Sequence, residues 1–193
     1  MSEKISFHYF LEISLITFLL YLFFYYITFI IDPFLSSLLD TKSNYLLPAS
    51  LLFLPHGIRV LATMMWGNKI YPALFIAQVC AGSYTTGTHS IELFILSFLS
   101  LLPFPIVYYF LFKSLDEDEI QSHINLKNVC IVAIATSCLS GIFSTIYKNI
   151  LNPQTIYNFL NESLHCIIGD IAGSVIIFTL FILLYDKIRL GNK

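Results

Sequence analysis

Six stretches of about twenty residues, each nearly free of charge, follow one another along the chain with only short polar pieces between them. They cover residues 9–31, 45–66, 70–87, 91–112, 128–147 and 164–185. A helix of about 20 apolar residues crosses the roughly 30 Å of hydrocarbon in a bilayer. Inside lipid the backbone must satisfy its own hydrogen bonds, so runs of this length resolve into helices. The sequence therefore predicts an all-α fold, a polytopic membrane helix bundle with about six transmembrane helices and an interrupted second span. The whole of 1–193 reads as a single integral membrane domain. The third run is the shortest in apolar content, because the polar tract SYTTGTHS starts at Ser83.

Only 11% of the 193 residues are charged and mean hydropathy is +0.79, whereas an ordinary soluble domain is about 25% charged. No polar stretch is long enough for a separate soluble catalytic or signalling domain. The net charge of −2 comes with no basic cluster, which argues against a nucleic-acid partner and against a polybasic lipid patch. Membrane lipid is the expected surrounding. Cys80, Cys130, Cys138 and Cys166 lie inside apolar runs without CxxC spacing and read as packing residues, with no metal or other cofactor implied. No nucleophile has an evident base and no metal-ligand spacing appears, so the expectation is that this is not an enzyme. The first run lacks a small-residue cleavage site and is expected to stay as an anchor.

Positive charge in short loops marks the cytoplasmic side. With both termini inside, that side receives Lys4, Lys69, Lys113, Lys127, Lys187, Arg189 and Lys193, against Lys42 and Lys148 outside. An odd number of spans divides these charges less cleanly. The first run has many Phe and Tyr but no Gly or Ala, and is expected to face lipid. Small residues recur at four-residue spacing in the third run (Ala73, Ala77, Ala81), the fifth (Ala133, Ser137, Gly141) and the sixth (Gly169, Gly173). Such spacing lets helix backbones approach closely, which places these three in the interior. Pro103 and Pro105 are expected to kink the fourth run. The acidic run 116–119 reads as a solvated cytoplasmic turn, 152–163 as a short interfacial helix carrying an Asn161-Glu162-Ser163 sequon, and His8, His89, His123 and Glu92 as interfacial or hydrated.

The stretch LLFLPHGIRVLATMMWG, residues 51–67 in and just past the second run, carries a helix breaker and two ionisable groups. Pro55 removes an amide donor and disfavours helix at Leu54, so the span should divide there. Non-helical backbone at membrane depth is tolerated only where protein buries it or a wet cavity touches it. A lone intramembrane Arg costs about 2.5–3.5 kcal/mol on insertion scales, so Arg59 needs a partner. The expected ion pair is Glu12 with Arg59, toward the cytoplasm. Toward the outside, His56, Asp170, Gln78 and His165 are expected to form a polar group, with Pro55, Gly57, Gly169 and Gly173 shaping it. Two readings stay open: a cluster that only fixes helix packing, or a site for a small-molecule ligand. A proton-sensing role for His56 is a further alternative.

Leu54-Pro55-x-Gly57-Ile58-x-Val60-Leu61-Ala62, then Gly67-x-Lys69-x-x-Pro72 and Phe75-x-Ala77, resembles the first signature of the type-one membrane-associated sensor domains of bacteria. Gly169-Asp170-x-x-Gly173 resembles the closing motif of the same family. The resemblance implies a plasma-membrane (bacterial inner-membrane) domain that senses a signal and passes it to an attached output domain. This chain has His56 where the family usually has a small residue, fewer expected spans, and no output domain before Lys193. A sensor of this kind needs a separate cytoplasmic signalling partner protein. Three functions are therefore weighed: a stand-alone sensory or ligand-binding membrane module in signal transduction, a substrate-binding subunit of an energy-coupling-factor-like transporter, and a structural assembly factor. Such transporter subunits dock through Ala-x-x-x-Ala in their first span, and the first run here has no Ala.

Overall fold

The computed structural model describes residues 7–38, 52–112, 125–151 and 156–191, and every regular element in them is helical. In chain order these are α1 (Phe7–Leu38), α2 (Leu54–Trp66), a 3₁₀ turn (Gly67–Ile70), α3 (Tyr71–Thr86), α4 (Ile91–Leu101), α5 (Pro103–Phe112), α6 (Leu126–Leu151) and α7 (Ile156–Gly191). Four helical stretches are long and apolar enough to cross a membrane: His8–Leu35, Ile91–Phe112, Leu126–Leu151 and Phe159–Leu184. The chain is thus an all-helical, multi-pass membrane protein. Helices α2 and α3 have 13 and 16 residues, short of the about 20 that a full crossing takes. Among the described residues, four crossings rather than six stand on helix length.

Local sequence explains the breaks. Helix α2 starts at Leu54 with Pro55 in its first turn, preceded by the non-helical Leu52 and Phe53. Pro lacks an amide hydrogen that the first turn does not use. Residues 45–51, the expected first half of the second span, lie outside the described residues, as do Lys42, the acidic run 116–119 and His123. The fourth run is helical on both sides of Leu102, with α5 beginning at Pro103, so the helix is interrupted where the prolines stand. Helix α7 starts at Ile156 and continues without interruption. The separate interfacial helix expected over 152–163 is therefore corrected for its described part: it is the first turns of the last helix. Gly67 ends α2 with φ 60°, and a Cβ there would stand 3.0 Å from the Tyr108 hydroxyl.

Helix α1 exposes most of its large apolar side chains, including Leu15, Leu19, Phe23 and Phe29. One stripe is buried instead, through Ile13, Thr17, Tyr21 and Thr28, and it packs on α2 and α3. The small-residue positions of the interior helices are where backbones meet. Ala77, Ala81, Ala133, Ser137, Gly141, Gly169 and Gly173 are all buried. Of the cysteines, Cys80 is exposed on α3 and the other three are partly buried, all with free thiols.

The tightest approach is between α7 and the start of α2. A Cβ on Gly173 would lie 2.1 Å from the Phe53 carbonyl oxygen and 2.7 Å from the Leu54 nitrogen, while one on Gly57 would lie 2.6 Å from Ile177 Cβ. Backbone cannot step aside as a side chain can. Gly173→Ala is expected to lower stability by about 1–3 kcal/mol, the usual range for overpacking. Thermal unfolding of the detergent-purified protein measures it, and an unchanged midpoint would contradict the close approach.

Candidate functional site

The start of α2 finds its hydrogen bonds within the protein. Phe53 N–H donates to the Gly169 carbonyl of α7 at 3.0 Å, Leu54 N–H to Thr28 Oγ1 of α1 at 3.3 Å, and His56 N–H to the Phe53 carbonyl at 3.2 Å. Pro55 has no amide hydrogen to place. The chain break is therefore closed by its neighbours, and these amides are not a ligand site.

His56 is wholly buried and meets three polar groups. Its Nε2 lies 3.1 Å from both Thr136 Oγ1 and Ser137 Oγ on α6. Those hydroxyls donate backward along the helix, Thr136 to the Val132 carbonyl and Ser137 to the Ala133 carbonyl, each at 2.7 Å. A hydroxyl has one proton, so both accept from His56, and Nε2 is the donor. On the other side, Nδ1 lies 3.1 Å from Asp170 Oδ2, approached obliquely rather than in line. Asp170 also accepts from Ser140 at 2.9 Å. The order hydroxyl, imidazole, carboxylate is that of a nucleophile relay. Here, however, Ser137 and Thr136 have no exposed surface and their protons are committed to helix carbonyls.

Arg59, 2% exposed, takes a different partner from the expected one. Its Nη2 donates to the Tyr21 hydroxyl at 2.7 Å. The guanidinium carbon sits 5.4 Å from the Tyr21 ring centre and 5.0 Å from that of Phe53, an arrangement that favours a cation between aromatic faces. Nε is buried and has no hydrogen-bond partner among the described residues. The predicted Glu12–Arg59 pair does not form. Glu12 instead faces His8 one turn away at 3.4 Å, with both side chains largely exposed. Glu12 lies nine residues before Tyr21, about 13 Å along the helix at 1.5 Å per residue. A carboxylate so near the end of α1 stays hydrated, while the middle of the helix supplies a phenol.

Above Arg59 and Asp170 lies a cavity of about 660 Å³. Gln78, Ser97, Ser100 and Ser144 line its walls together with Phe53 and Leu96, and Asp32, Thr86, Leu93 and Lys148 reach its rim. The rim residues come from the end of α1, the end of α3, the start of α4 and the end of α6, so the cavity opens toward one end of the bundle. At that end Lys148 pairs with Glu162 of α7. Gln78 donates to Ser100, leaving its Oε1 buried without a partner among the described residues. An apolar groove of about 350 Å³ between α1 and α3 shares Tyr25, Phe29 and Thr85 with the cavity, and the Tyr25–Thr85 hydrogen bond of 3.2 Å closes α1 on α3 there.

Of the residues singled out by sequence, Pro55, His56, Gly57, Arg59, Gly169, Asp170 and Gly173 gather at one junction, and Gln78 faces it across the cavity. His165 does not join them. It precedes Asp170 by five residues, which turns it about 140° around the helix, and it is absent from the cavity lining. Sequence reasoning missed Tyr21, Thr28, Thr136, Ser137, Ser140 and the Lys148–Glu162 pair. Polar residues at steps of three and four were the available signal: Ser14, Thr17, Tyr21, Tyr25 and Thr28 on α1, and Thr136, Ser140 and Ser144 on α6. Among the described residues no three His, Cys, Asp or Glu side chains cluster to hold a metal ion.

No protein-family model matches the chain, and neither a curated protein nor a solved structure matches it.

Three double-mutant cycles read these contacts directly. His56→Asn and Asp170→Asn are expected to couple by about 0.5–3 kcal/mol in unfolding free energy, as is usual for residues in one network. Arg59→Met should couple in the same way to Tyr21→Phe, yet be additive with Glu12→Gln to within about 0.5 kcal/mol. Coupling to Glu12 would restore the ion pair that the structure replaces.

Proposed function

We propose that this chain is a membrane-embedded binding module that holds a small molecule in the cavity above Arg59 and Asp170 and reports its occupancy to a separate protein. The observation that carries this reading is the cavity itself. A cluster serving only to fix helix packing would have no open space beside it. Here about 660 Å³ adjoins that cluster, within the roughly 300–1,000 Å³ of ordinary ligand sites. Arg59 Nε and Gln78 Oε1 lack partners beside it among the described residues. The buried, proton-committed hydroxyls at His56 support binding rather than catalysis.

The sensory part of the reading rests on the two sequence motifs, and their meeting in space supports it. The start of the first motif, at Leu54 with the preceding Phe53, meets Gly169 and Gly173 of the second at one junction. We read six membrane-crossing segments with the second interrupted before Leu54, both termini cytoplasmic, in a bacterial inner membrane. In that orientation the cavity opens outward, and a cytoplasmic signalling protein would read the opposite end. The same cavity serves the alternative of a transporter's substrate-binding subunit.

Thermal unfolding of nanodisc-embedded protein against pools of small metabolites tests the binding. A ligand at 100 times its Kd should stabilise by about 2.7 kcal/mol, and Ser97→Phe, which fills the cavity, should remove that shift. Absence of any shift, with Ser97→Phe at least as stable as the parent, would leave a purely structural cluster. Counterflow of a stabilising compound in vesicles would move the reading to transport.

A further inference from the structure

Resting on the binding role proposed above, we infer that the ligand is a small organic anion with an apolar body, its carboxylate or phosphate seated against Arg59. The charges around the cavity are unevenly matched. Lys148 is paired with Glu162, and Asp170 is engaged by both His56 and Ser140. Arg59, by contrast, has a neutral phenol as its hydrogen-bond partner, two aromatic faces, and no carboxylate within 4 Å among the described residues. Asp32 lies eleven residues beyond Tyr21 on α1, about 16 Å away along the axis, at the rim. A guanidinium has five N–H donors and no acceptor. Among the described residues only the bond to Tyr21 uses one of them, and Nε stands buried without a partner.

The Tyr21 hydroxyl accepts from one edge of the guanidinium and the Tyr21 and Phe53 rings lie against it, so its position is set before any ligand arrives. A planar, preset donor fork is suited to the two oxygens of a carboxylate or phosphate. The Tyr21 hydroxyl, which accepts from Arg59, keeps its own proton to donate to the same anion. A cation at this end would meet Arg59 repulsively, and a neutral polar group would leave the charge uncompensated at low dielectric. Phe29, Phe53, Leu93 and Leu96 on the cavity wall take an apolar body.

The test uses three probes that differ only in head group: 4-phenylbutyrate, 4-phenylbutanol and 4-phenylbutylamine. Ligand-observed NMR on the full chain in nanodiscs, with empty nanodiscs as blank, gives their dissociation constants. The carboxylate is expected to bind at least ten-fold tighter than the alcohol, and the amine weakest. Arg59→Met should bring the carboxylate to the level of the alcohol, Arg59→Lys should keep part of the preference, and Lys127→Gln, exposed and outside the cavity lining, should leave it unchanged. Equal binding of carboxylate and alcohol overturns the anion assignment while the binding role stands, as does a preference that survives in Arg59→Met. Failure of all three probes to bind also overturns it, and the metabolite screen then decides the binding role by itself. Should Arg59→Met fail to fold, the ranking of the three probes on the parent protein still decides for or against an anion. 2-Phenylethyl phosphate in place of the butyrate separates a phosphate preference from a carboxylate one.

Discussion

At the start of α2 the first amides lie within the helix bundle and find their partners on other helices, the Gly169 carbonyl of α7 and the Thr28 hydroxyl of α1. The Phe53 amide reaches the Gly169 carbonyl, and Gly173 leaves the space in which the Phe53 carbonyl sits. An unsatisfied peptide group in hydrocarbon costs several kcal/mol, so this docking is a condition for the fold. It also fixes the depth and rotation of α2. With Phe53 held against Gly169, the third residue along, His56, is carried to Asp170, and Arg59 is turned toward α1.

The polar groups that follow are of two kinds. Around His56 nearly every donor has an acceptor: two hydroxyls on α6, a carboxylate on α7, and a serine that also holds that carboxylate. Such a network is costly to disturb, because removing one member leaves another buried and unpaired. Around Arg59 the balance is different. The cation is stabilised by aromatic rings and one phenol, which do not neutralise it. The first group locks three helices together, and the second leaves electrostatic capacity next to open space.

Much of this was legible from residue order. Apolar run lengths gave the helical class, prolines at 55, 103 and 105 marked the breaks, and four-residue spacing of Ala, Ser and Gly marked the helices that come closest. These signals are local, and the bilayer imposes them on any chain. Asp170 was matched to His56 because an acid and an imidazole at comparable depth in membrane helices rarely stay apart. A Glu12–Arg59 pair rests on the same logic and does not form, since Glu12 lies at the exposed start of α1 while Arg59 meets the middle of that helix at Tyr21. Tyr21 carries no charge and looks like a lipid-facing aromatic until the rotation of α1 is known. Helix rotation is a tertiary property, and one sequence encodes it only faintly in a polar stripe.

The joint at Leu102 bears on how a change at His56 would travel. Pro103 and Pro105 have no amide hydrogens, so the carbonyls of Leu99 and Leu101 lack their usual helical donors and the rod formed by α4 and α5 is soft at that point. Phe104, fully buried, lies immediately beyond the joint with its ring 5.2 Å from the His56 ring. A sideways step of the imidazole would therefore press on the short arm of a lever whose fulcrum is Leu102, and the swing would be largest at Phe112.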